Sequence, residues 1–189
     1  MKQIPIRKIA ISAMLITLAL ALSVAEKLLP IGAVIPVPGV KLGLANVVTM
    51  LALFYIGAPG AFVILVARCL LGALFSGATA LLFSLTGGLL ALGVMMALKS
   101  GYGRAFSIFG ISIGGAAAHN VGQILAASAL LGENLIYTYL PVLLLAGIAT
   151  GILTAAVGGA LFTKLEKNGV IRRYYPGAQL FLTEGRARR

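Results

Sequence analysis

The chain has 189 residues, of which 60% are hydrophobic and only 10% charged, with a net charge of +11 and a mean hydropathy of +1.07. Soluble domains carry about 25% charged residues, so this composition excludes an ordinary globular enzyme and points to a multi-pass membrane protein. The positive charge does not suggest a nucleic-acid partner, because the basic residues lie mostly between or after apolar runs, as in cytoplasmic membrane flanks.

Six apolar stretches are predicted in chain order. The first runs from Ile9 to Leu29 after Lys2, Arg7 and Lys8, and is expected to be a true helix rather than a cleaved signal. Its small residues Ala13, Thr17, Ala21 and Ala25 fall every four positions, a spacing that lets helix backbones approach closely in lipid. That stripe suits either packing within the chain or docking of a second membrane subunit. Pro30 to Gly39 is too rich in proline and glycine for regular helix.

The second stretch, Leu42 to Ile56, opens beside Lys41 and contains Asn46. Lys41 near a helix N-terminus adds charge to backbone donors that favour anions, or else snorkels to the interface. The stretch breaks at Gly57-Ala-Pro59-Gly60, and the third follows from Ala61 to Phe75. Both are short for a crossing, so they are expected to tilt or to re-enter from one side.

Arg68 sits in the middle of the third stretch, where a charge costs roughly 2.5–3.5 kcal/mol and usually marks a pathway or binding site. The chain has no aspartate, and its four acids are Glu26, Glu133, Glu166 and Glu184, each at or beyond the end of a stretch. Arg68 therefore needs a ligand, a cluster of carbonyls, a snorkelling route, or Glu26.

The fourth stretch covers Ala78 to Leu98, the fifth Ala105 to Leu131 and the sixth Tyr139 to Thr163. The fifth carries His119, Asn120 and Gln123, with His119 and Gln123 on one face and Asn120 beside them. These three side chains serve either interhelical hydrogen bonds or the polar wall of a cavity. Stripes of small residues recur at Gly110, Gly114, Ala118, Gly122 and Ala126, and at Gly147, Gly151, Ala155 and Gly159.

Residues 1–163 are thus expected to form one six-helix membrane domain, and 164–189 a basic cytoplasmic tail. With the N-terminus inside, the inner segments hold twelve basic residues and the outer ones only Lys27 and Lys41, so both termini are expected to be cytoplasmic. The site assembled from these elements is Lys41, Asn46, Arg68, His119, Asn120 and Gln123, which suits an amphiphile with a carboxylate, phosphate or diphosphate. No cofactor is expected. A single histidine without carboxylate or thiolate companions is a poor metal site, and one cysteine, Cys69, excludes an internal disulfide. Without aspartate the chain cannot build the usual Mg²⁺–diphosphate centre, and it has no P-loop, so it is not expected to be an enzyme by itself.

Pro38-Gly-Val-Lys41-Leu-Gly-Leu-Ala-Asn46, the Arg68 region, and Gly114-Gly-Ala-Ala-Ala-His119-Asn-Val-Gly-Gln123 resemble the heptaprenyl diphosphate synthase component I family, also called the Gx transporter family. The resemblance covers roughly Ile9 to Thr163. The family name implies a prenyl synthase subunit. The family in turn resembles the substrate-binding S components of energy-coupling factor vitamin transporters, six-helix proteins of the cell membrane. In those, a small-residue stripe on the first helix meets a transmembrane coupling subunit that works with ATPases. Members are also associated with flavin- and quinone-linked electron transfer. The resemblance implies an S-component-like bundle that binds a vitamin, flavin or isoprenoid/quinone precursor. The alternative is a non-catalytic subunit that anchors or feeds a soluble prenyl synthase or an electron-transfer partner.

Overall fold

The computed structural model describes residues 6–26, 43–132 and 134–169, and within them the chain is all-α. There are five α-helices: α1 (Ile6–Glu26), α2 (Asn46–Tyr55), α3 (Ala58–Lys99), α4 (Ile108–Leu131) and α5 (Leu140–Lys167), with a 3-10 turn at Asn134–Tyr139 leading into α5. Four of them, all but α2, are long and apolar enough to cross a membrane.

The six expected stretches appear as five continuous elements, because the third and fourth meet without a loop as the two arms of α3. Its 42 residues are divided at Gly77, which adopts φ 80° and ψ 176°. Glycine reaches that left-handed region without a Cβ clash, so the chain can reverse there with no loop. The reversal is visible in packing. A methyl group on Gly88 would meet Leu65 Cδ1 at 2.5 Å and Arg68 Nη2 at 3.4 Å. In a straight helix residues 65 and 88 would stand about 35 Å apart. The two arms, residues 58–76 and 78–99, therefore lie side by side as a helical hairpin.

The Gly57–Gly60 signal acts as expected. Gly57 has φ 94°, and Pro59 falls in the first turn of α3, where its missing N–H removes no helical bond. Downstream, the Ser107 hydroxyl accepts from the Gly110 N–H at 3.2 Å to cap α4. α5 runs to Lys167, so the first residues of the expected tail are helical.

Helix α2 has only ten residues, about 15 Å, which is half a hydrocarbon core. Every one of its residues is buried. Its far end meets the end of α3, the turn after it, and the last turns of α5. Lys99 Nζ donates to the Leu53 carbonyl at 2.7 Å and sits 4.9 Å from the Phe54 ring centre. Phe54 stacks edge-on with Tyr102 at 5.1 Å, and Tyr55 does the same with Phe162 at 5.0 Å. Leu53, Lys99, Tyr102 and Phe162 thus close one end of the bundle, and α2 climbs from there only to its middle.

Helix α4 is the hub, packed against the second arm of α3 on one side and α5 on the other. Its close approaches use the small-residue stripes. A methyl on Gly122 would fall 2.8 Å from both the Gly87 Cα and the Thr86 carbonyl, and one on Gly151 would fall 2.6 Å from the Ile113 Cα. Ser112 and Thr154 hydroxyls hydrogen-bond across the α4–α5 seam at 2.6 Å. α1 lies outermost, against α3 and α2, burying Ala19 and Glu26.

Candidate functional site

The start of α2 stands inside the bundle, and polar groups gather around it. The Gly43 N–H donates to Glu26 Oε1 at 2.6 Å, bringing the buried end of α1 to the turn that opens α2. A carboxylate at that place faces the positive end of the α2 dipole. Three residues on, Asn46 Oδ1 accepts from Arg68 Nη2 at 3.3 Å. A methyl on Gly43 would meet Asn46 Nδ2 and His119 Cδ2 at 2.8 Å each, so Gly43 touches α4 as well. His119 in turn shares a hydrogen bond with Gln123, with 2.5 Å between their Nε2 atoms, and lies against Gly87 of the second arm of α3.

Arg68 is only 6% exposed, Glu26 2%, Asn46 6% and His119 2%. Burying a guanidinium in apolar surroundings demands compensation. Glu26 lies near enough to interact with it by charge, and Asn46 takes one of its five donors. Among the described residues, Arg68 Nε and Asn46 Nδ2 have no hydrogen-bond partner. The two candidate roles of Arg68, pairing with Glu26 and meeting a ligand, therefore share one place in the fold. Gly43 and Asn46 link the acid to the base.

Of the six residues read from the sequence, the structure brings together Asn46, Arg68, His119 and Gln123. Asn120, although adjacent to His119 in sequence, turns toward α5 and donates through Nδ2 to the Leu143 carbonyl at 2.5 Å. Lys41 lies outside the described residues. Gly43 and the serines beside Arg68 were not singled out by sequence. Serine in an apolar helix commonly satisfies itself on a carbonyl of the preceding turn, so its presence alone carries no signal.

Those serines line a cavity of about 50 Å³ between α1 and the α3 hairpin, bounded by Leu20, Ser23 and Val24 on α1, by Arg68, Cys69, Gly72, Phe75 and Ser76 on the first arm, and by Ser84 on the second. A drug-sized ligand usually needs about 300–1,000 Å³. This space admits one compact polar group. A larger groove of about 570 Å³ lies between the second arm of α3 and α4, lined by Leu82, Thr86, Leu89, Leu90, Gly122 and Leu125 among others. It contains no charged residue. Among the described residues, no three His, Cys, Asp or Glu side chains gather as a metal site would require.

The small-residue stripe on α1 takes no part in the bundle: Ala13, Thr17, Ala21 and Ala25 are all exposed, together with Met14, Leu18 and Val24. The Thr17 hydroxyl bonds back to the Ala13 carbonyl at 3.0 Å, leaving a smooth, self-satisfied surface.

No curated protein and no solved structure matches the chain. One family model does, over residues 15–161, a span that includes the whole Glu26–Asn46–Arg68–His119 cluster. The chain belongs to the heptaprenyl diphosphate synthase component I family.

Proposed function

We propose that this chain is a membrane-embedded binding subunit that holds a small amphiphile by its anionic group at Arg68. The observation that carries the reading is the burial of that guanidinium beside Asn46, with Nε lacking an acceptor among the described residues. A cation retained at such cost in an apolar bundle is most useful where a ligand or pathway meets it. A helix that begins at mid-bundle strengthens the reading, since interrupted helices point their positive ends at anionic substrates in transporters. Lys41, five residues before Asn46 in sequence, is the second cation of the proposed site, and His119 and Gln123 supply neutral polar contacts.

In this reading the chain crosses the cell membrane six times, as its six apolar stretches favour. Both termini are cytoplasmic, as the twelve-to-two distribution of basic residues favours. The exposed stripe on α1 is the face for a membrane partner, of the kind that S components offer to a coupling subunit driven by ATPases. The family description favours a second reading, in which the chain is a non-catalytic membrane subunit presenting a prenyl amphiphile to the catalytic component of a synthase. Both readings use the same anion site and differ in the partner.

Native mass spectrometry of gently solubilised protein tests the site. The wild type is expected to retain an adduct of defined mass, and Arg68→Ala to lose it while remaining folded and membrane-inserted. An adduct unchanged in Arg68→Ala would refute the site. Co-purification then separates the readings: a transmembrane subunit with ATPases favours transport, and a soluble prenyl synthase favours the anchoring role.

A further inference from the structure

We infer that the Arg68 site is entered sideways from the membrane, through the gap between α1 and the first arm of α3, by a single-chain amphiphile with an oxyanion head. This deepens the proposed function and rests on its assignment of an anion to Arg68. It adds the route and the shape of the ligand.

The reasons lie in what surrounds the cavity. Four polar residues line it: Arg68, Ser23, Ser76 and Ser84. Its remaining walls are apolar and reach the outer surface of the bundle, since Val24 is 51% and Phe75 76% exposed. An anionic head among the hydroxyls and the guanidinium would therefore have its tail beside Val24 and Phe75, already in the position of lipid chains.

Size restricts the head. About 50 Å³ is far below the roughly 300–1,000 Å³ of a site for a drug-sized molecule, so the cavity suits a compact head such as a carboxylate or phosphate monoester and not a ring system. The apolar body must then lie outside the cavity. Gly72 keeps the gap open: a methyl there would reach only to 3.7 Å from Leu20 Cδ2, an ordinary contact, so a larger side chain would occupy the passage rather than disturb the helix. The groove between the second arm and α4 is roomier, but it offers a head group no charge.

Photolabelling of the full-length protein in phosphatidylcholine nanodiscs tests the route. Three probes share one sixteen-carbon chain with a mid-chain diazirine and differ in the head: carboxylate, phosphate monoester or alcohol. The expected result is labelling of residues 20–25 and 71–76 that is about tenfold stronger for one or both anionic probes than for the alcohol, as a charge-assisted hydrogen bond would give. Which anionic probe labels identifies the head. Arg68→Gln should lower that labelling to the alcohol level. Gly72→Val, which leaves every polar group in place, should do the same and keeps the test valid if Arg68→Gln misfolds. Equal labelling by all three probes would mean that ordinary boundary lipid fills the gap, and would overturn the inference. Arg68-dependent anionic labelling that maps to residues 82–90 and 122–129 would overturn the lateral route alone and leave the anion at Arg68 standing. Anionic labelling at the gap that Arg68→Gln does not change would overturn both.

Discussion

Helices α1 and α4 carry the same pattern, small residues at every fourth position, and use it in opposite ways. On α4 the stripe points inward, where Gly122 meets the backbone of the α3 hairpin and Gly114 meets Leu98. On α1 the stripe points outward, and all four of its residues are exposed. The whole apolar window of α1 is 11% buried, against 61% for α4. A stripe of small residues therefore marks a surface prepared for close approach without saying which neighbour approaches. In α4 and α5 that neighbour is within the chain. In α1 no described residue covers the stripe, and the proposed function gives that face to a partner subunit.

Substitutions that add bulk separate the two uses. The largest effect is expected for Gly122→Leu, because its Cβ would stand 2.8 Å from backbone atoms that cannot rotate away. Overpacking of that kind costs about 3 kcal/mol. The variant should be lost from detergent extracts or elute as aggregate in fluorescence-detected size-exclusion chromatography. A monodisperse Gly122→Leu protein would mean that α3 and α4 are not in such close contact. The smallest effect on the fold is expected for Ala21→Leu on α1, within about 0.5 kcal/mol of the wild type, as for other exposed positions. Its consequence should appear in complex formation, as loss of the co-purifying membrane partner with the elution profile unchanged. Loss of the fold in Ala21→Leu would show that the stripe serves the chain itself.

Much of this architecture was legible in the sequence, and the reasons are local. Proline and glycine at Gly57–Gly60 announce a break because neither can sit inside a helix at no cost, and the structure places the start of α3 there. The second stretch was short for a crossing, and α2 proves to be a ten-residue helix beginning inside the bundle. Arg68 stood out by chemistry alone. What the sequence withheld was direction. A break at residues 76–77 reads as a boundary between two helices, but the reversal without a loop depends on the positive φ of Gly77, which spacing does not reveal. His119 and Asn120 look like one polar patch in a linear reading. Adjacent positions on a helix point about 100° apart, so one faces Gly43 and the other α5. The serines around the cavity were unreadable for the same reason, since they become neighbours only once α1 and the hairpin pack together.

Glu26 and a ligand are rival partners for Arg68 in the sequence, and the structure gives Glu26 and Arg68 different local roles in one cluster. Glu26 holds the Gly43 N–H and so fixes where α2 begins. Arg68 reaches Asn46 and lines the cavity. If Arg68 exists to neutralise Glu26, removing either charge should leave binding alone. If Arg68 holds a ligand, the two substitutions should part company.

The most direct measurement is therefore native mass spectrometry of Glu26→Gln and Arg68→Gln side by side, reading the small molecule each retains. Glu26→Gln is expected to keep the adduct, because glutamine still accepts from the Gly43 N–H, and Arg68→Gln to lose it. Retention of the same adduct by Arg68→Gln would refute an anion site at Arg68 and leave it as a structural counter-charge.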